Sequence, residues 1–123
     1  MKEKTNVLFL FSDEHRRDAL GCYGHKLVQT PHLDKLASQG TRFSQAYTPS
    51  PICVPARAAL ATGQYVHNTG CWSNAQAYQG EPSSFGHQLV RQGHRVDSIG
   101  KLHYRGKDYD NGFENEILPL YIK

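Results

Sequence analysis

Five consecutive apolar residues, Val7-Leu8-Phe9-Leu10-Phe11, run directly into Ser12-Asp13-Glu14-His15. A continuous apolar run bounded by polar residues fits a strand covered on both faces, the kind that builds parallel sheets. Residues 6–11 are therefore read as a buried strand. In an open α/β sheet, ligands collect in the crevice outside the carboxyl ends of the strands. Asp13 and Glu14 stand at that position, and hard divalent cations take carboxylate oxygens. The same pair could instead cap the segment that follows.

The rest of the chain alternates in the way such a sheet needs. Thr30-Pro31 opens a helix, with Thr at the N-cap and Pro at the first position, Leu33, Leu36 and Ala37 on its apolar side and Gly40 at its end. Residues 41–48 read as a second strand, with Phe43, Gln45 and Tyr47 on one side. Pro82 and Ser83-Ser84 open another helix, whose Phe85, Leu89 and Val90 are expected to face the core and whose Gly93 ends it. Residues 94–99 form a third strand. Strand, helix, strand repeats imply a mostly parallel sheet flanked by helices, with right-handed crossovers. At 123 residues the chain is one domain's worth.

Between the second strand and the later helix lies Cys53-Val54-Pro55-Ala56-Arg57, continuing through an alanine-rich run to Thr62-Gly63. Pro49 and Pro51 hold the approach extended, Pro55 suits the first turn of a helix, and Gly63 suits its end. Cys53 then sits at a helix N-terminus, where free N–H groups and the helix dipole favour negative charge. Arg57, one turn on, shares that face. The combination is an anion site containing a nucleophile. A cysteine beside a helix is also a common small buried hydrophobe.

Past the third strand comes Gly100-Lys101-Leu102-His103. In an extended segment Lys101 and His103 point the same way, and on one parallel sheet they share a rim with Asp13. An amine and a titratable imidazole there suit an anionic substrate; a solvated lysine and a stray histidine are the alternative. Residues 64–82 are rich in Asn, Gln, Tyr and Gly without a period, and a loop this long is more often functional than idle.

Cys-x-Pro-x-Arg with its Thr-Gly extension, at Cys53, Pro55, Arg57 and Thr62-Gly63, resembles the signature of the type I sulfatases. Ala56 stands where the commoner spelling has Ser, and Ala61-Thr62-Gly63-Gln64 where it has Leu-Thr-Gly-Arg. Thr30-Pro31-His32-Leu33-Asp34-Lys35-Leu36-Ala37 and Gly100-Lys101-Leu102-His103, with Gly112-Phe113-Glu114 beyond, are similar to further family motifs. The resemblance implies the amino-terminal portion, residues 1–123, of an alkaline-phosphatase-like catalytic domain, truncated after Ile117-Leu118-Pro119-Leu120. It implies a sulfuric ester hydrolase in which a maturation enzyme oxidises Cys53 to formylglycine. It also implies a divalent metal, calcium first, with magnesium, manganese or zinc as alternatives, held by Asp13, Glu14 and modified Cys53. Arg57 would stabilise the ionised nucleophile, Lys101 bind a sulfate oxygen and His103 hydrogen-bond the formylglycine. Asn74, twenty-one residues after Cys53, is placed as in relatives whose Asn touches the substrate anion; it also reads as a turn residue. Further metal and leaving-group ligands of the family lie downstream of these 123 residues, so the chain by itself is expected to turn over little or no substrate.

Two other readings stay open. A phosphonate or phosphate ester hydrolase of the same superfamily would use the same nucleophile and metal. Cys22-x-x-His25 and His67-x3-Cys71 have zinc-ligand types, so a structural zinc module or a non-catalytic fragment is the reading from another class. A net charge of +3 without a basic cluster argues against nucleic acid as a partner. No apolar run approaches the ~20 residues of a membrane helix or reads as a signal peptide. Three cysteines without a Cys-x-x-Cys suit a reducing compartment, and a cytoplasmic location is expected.

Overall fold

The computed structural model describes residues 5–104 and 108–119. The backbone divides into two compact units, Met1–Ala46 and Tyr47–Lys123.

In the first unit, 3-10 turns at Arg17–Ala19 and Gly21–Tyr23 precede helix α1, Pro31–Gln39. Thr30 and Asp34 join them: Thr30 Oγ1 accepts from Gly21 N at 2.9 Å and donates to Asp34 Oδ1, which also accepts from Cys22 N at 2.7 Å. Tyr23 donates its hydroxyl to Phe43 O and lies beneath the guanidinium groups of Arg17 and Arg42. Two expected strands do not form here. Residues 6–11 and 41–48 carry no strand assignment, and Val7, Leu8 and Leu10 are more than 70% exposed. An apolar run becomes a strand only when a ladder and covering layers stabilise it. The apolar side of α1 is likewise open, with Leu36 61% exposed.

The second unit holds the core. Helix α2, Cys53–Thr62, is followed by a single turn of helix, α3, Val66–Thr69, and by α4, Phe85–Arg91. Gly63 ends α2 in the left-handed region, φ 67°, its N–H bonded to Ala59 O, as a helix-ending glycine does. The alanines of α2 let other chain segments come close. Val54, Ala58 and Ala61 pack with Cys71, Tyr78 and Tyr104, and Leu102 and Phe113 lie against this cluster.

Strands β1, Asp97–Ile99, and β2, Asn115–Ile117, pair in parallel with Asp97 opposite Asn115 and Ile99 opposite Ile117. The sequence reading missed β2 and started β1 three residues early. The ladder continues outward through Glu114 N to Val96 O and Gly100 N to Ile117 O. Leu120, at the end of the run from Ile117, lies outside the described residues.

Helix α4 docks on the turn before β2. Ser84 Oγ accepts from His87 N and donates to Asn111 O at 2.8 Å, while His87 Nδ1 accepts from Ser84 N. An acceptor Nδ1 in a neutral ring leaves the proton on Nε2, which meets Asp110 Oδ1 at 3.2 Å. Gly86 packs directly on the carbonyl of Gly112, leaving no room for a side chain. Gly86, not Phe85 or Val90, is therefore the buried face of α4; Phe85 instead meets Phe113 edge to face.

Candidate functional site

Cys53 is the first residue of α2 and is half-buried. Its approach is shaped by hydroxyls: Ser50 N donates to Thr48 Oγ1 and Ile52 N to Ser50 Oγ, both at 3.3 Å. The four N–H positions at a helix start have no intrahelical partner. Here Ile52 N is turned to Ser50, Val54 N donates to Asn74 Oδ1 at 2.9 Å, and Pro55 has no N–H. Most of the free amides expected to attract an anion are thus engaged or missing. Among the described residues the Cys53 amide is the start-of-helix donor outside these bonds.

Arg57 is only 6% exposed, and its Nη1 donates to the carbonyl oxygen of Lys101 at 2.6 Å. The structure thereby brings the Cys53 helix to the segment after β1. Lys101 is half-buried and His103 is 4% exposed. His103 has φ 61°, so residues 101–103 are not the extended segment from which a shared side-chain direction was expected. Tyr104, next along, is buried against Tyr78 with ring centroids 5.0 Å apart in a T-shaped pair. Burial pushes the Tyr78 phenol up to about 12 and raises that of Tyr104 further. The sequence reading passed over both tyrosines. The available signal was two large aromatics flanking the candidate segments.

Asn74 is exposed and lies in the loop between α3 and α4, its carboxamide oxygen on Val54 N. Asp13 and Glu14 fall in the first unit, in an exposed turn where Glu14 has φ 57°. Asp13 there follows no assigned strand, which removes the sheet-edge argument that placed it.

Residues 5–118 match the family model described as Sulfatase. The chain belongs to the sulfatase family. It is 40% identical over 107 residues to YidJ, an uncharacterized sulfatase of Escherichia coli K12, covering 87% of this chain and 22% of YidJ. Against the N-acetylglucosamine-6-O-sulfatase of Bacteroides thetaiotaomicron it is 36% identical over 105 residues, 83% of this chain and 19% of that enzyme. A solved structure of a complex with its substrate D-glucosamine-2-N,6-O-disulfate superposes with a TM-score of 0.82 and 31% identity, over 93% of this chain and 23% of the other. The chain thus spans about a fifth of the length of these sulfatases. Its small parallel sheet with flanking helices is part of an alkaline-phosphatase-like α/β domain.

Sulfatases generally use a formylglycine and a divalent metal. Among the described residues no three His, Cys, Asp or Glu side chains gather as a metal site. Asp13 and Glu14 offer the right oxygen chemistry, but a hard cation such as calcium takes about six to eight such ligands. The described residues therefore fit the metal only in part. Nor do the zinc-type pairs form a group of three. Cys71 is buried, its thiol raised by desolvation and turned to Thr69 O and Ala77 O. Nδ1 of His25 accepts from Leu27 N and Val28 N. Among the described residues no helix is long and apolar enough to cross a membrane.

Proposed function

We propose that this chain carries the nucleophile-bearing part of a sulfuric ester hydrolase acting on sulfated saccharides or small sulfate esters, with Cys53 matured to formylglycine. The observation that supports it most is the Arg57–Lys101 bond, because it draws a cysteine-bearing helix start and a Lys-x-His segment into one neighbourhood inside the second unit. Formylglycine at position 53 supplies a geminal diol, with one hydroxyl to attack sulfur and a second to give sulfate a way out.

The chain's own groups then have separable tasks. Arg57 keeps a permanent positive charge beside residue 53, one turn along α2, and favours its ionised form. Lys101 neutralises charge on the sulfuryl oxygens, an electrostatic contribution of a few kcal/mol. The imidazole of His103 takes up and returns a proton at the hydroxyl that releases sulfate. Asn74, its oxygen engaged by the helix, directs amide donors to a sulfuryl oxygen. Asp13 and Glu14 are proposed as carboxylate ligands of the divalent metal, calcium first, and modified Cys53 as a further ligand. A maturation enzyme that oxidises Cys53 is the implied partner, in the cytoplasm. Among the described residues only part of a metal ligand set is present, and the chain by itself is proposed to turn over little or no substrate.

The test is a comparison of an aryl sulfate with an aryl phosphonate on the full-length protein, produced with a maturation enzyme, with its C53A variant as the blank. Faster, Cys53-dependent release from the sulfate supports the assignment. Faster release from the phosphonate transfers the chain to that branch of the superfamily.

A further inference from the structure

The bond between Asn74 and Val54 does more than occupy a stray donor. Its acceptor can be assigned from chemistry alone. A backbone N–H must face an acceptor, so the carboxamide presents Oδ1 to Val54 and turns its NH2 group away. Val54 directly follows Cys53, and within the first turn of a helix the residues share one backbone geometry.

The loop that carries Asn74 is fixed at both ends. Cys71 is 2% exposed and Tyr78 fully buried, and both pack with Val54, Ala58 and Ala61 of α2. The Cys71 thiol lies 3.6 Å from Thr69 O and 3.8 Å from Ala77 O, closing the base of the loop with its single proton. Inside the loop, Trp72 N donates to Gln76 Oε1, Gln76 N to Ser73 O and Ala75 N to Ser73 Oγ. Asn74 is therefore carried at the tip of a segment that its own hydrogen bonds preshape.

We propose that Asn74 is a positioning residue for Cys53: its Oδ1 caps α2 from a distant loop, and the Val54 bond holds the first turn in place. An Asn, Asp or Ser ordinarily caps a helix from the residue just before it. Here that residue is Ile52, which has no side-chain acceptor, and the cap comes from twenty residues downstream. The inference rests on the reading of Cys53 as the reacting side chain, yet the bond can be read without any reaction.

The experiment is amide hydrogen exchange at Val54 in the parent chain, N74A and N74D. Asp keeps an oxygen acceptor and removes the donors; Ala removes both. Exchange at Val54 is expected to rise roughly tenfold in N74A and to return towards the parent rate in N74D, with Ala61 deeper in α2 unchanged. A Val54 rate unaltered in N74A, or as fast in N74D as in N74A, overturns the proposal. If N74A does not fold, a folded N74D with a protected Val54 sustains it, and an unfolded N74D refutes it. Maturation of Cys53 is scored separately by peptide mass: the Val54 response without any conversion of the Cys53 thiol to an aldehyde leaves the brace standing and removes the reading of Cys53 as the reacting side chain.

Discussion

Arg57 reaches out of helix α2 to the main chain of Lys101, its guanidinium donating to that carbonyl at 2.6 Å while only 6% of the residue remains exposed. A hydrogen bond from a charged donor contributes about 1.5–3 kcal/mol. R57A is expected to lower stability by about that much, read as an earlier midpoint in urea unfolding. R57K keeps the charge but not the planar fork, and is expected to recover less than half of the loss. Full recovery by lysine would show that charge alone, not the bond to Lys101, matters.

Tyr78 and Tyr104 lock the other side of the same segment. Truncation in a packed core costs about 3–5 kcal/mol for a large aromatic, so Y104A is expected to unfold far more readily than Y104F. Thermal melts of the two variants decide it; equal melting temperatures would place the ring outside the core.

The buried Tyr78 phenol gives a pH signature. Its value rises from 10.0 to about 12 on folding, with desolvation the largest cause. The contribution is complete below pH 10 and is lost as pH climbs from 10 to about 12, because there the unfolded chain releases the proton and the folded one retains it. Urea midpoints across that range should fall less steeply in Y78F. An identical slope would contradict the assignment.

At the opposite end of the scale, Asp97 ties the two strands together. Its carboxyl is held below the usual range first by the Asn115 side chain and then by Arg95. The stabilisation is present above the ordinary carboxylate value of 3.8 and fades as pH falls through the lowered folded value. The protection factors of the Glu114 and Gly100 amides, their rates taken relative to the unfolded chain at the same pH, are expected to fall on acidification in the parent. In D97N that acid dependence should disappear.

Helix starts were legible from sequence because their causes are local. Thr30-Pro31, Pro55 and Ser84 each open a helix within a residue or two of the expected place, and Gly63 and Gly93 stand at their ends with positive φ. Strands depend on partners. The apolar 6–11 run had the stronger pattern and is not a strand here, whereas Asn115-Glu116-Ile117, without any apolar period, became one by pairing with β1. The site shows the same division. Cys53, Arg57 and the Lys101–His103 segment were marked by motif, but no spacing rule foretold that Arg57 would spend a donor on a carbonyl or that Asn74 would cap a remote helix. Those bonds come from tertiary packing of alanine-rich α2.

The central claim is that Cys53 is a precursor and not a structural thiol. Trypsin cuts after Arg42 and Arg57, releasing residues 43–57 with Cys53 as their one cysteine. In protein made alongside a maturation enzyme, mass spectrometry of this peptide is predicted to show a species about 18 Da lighter than the thiol form, an aldehyde that labels with a hydrazide. A peptide carrying only the unmodified thiol under those conditions would contradict the account.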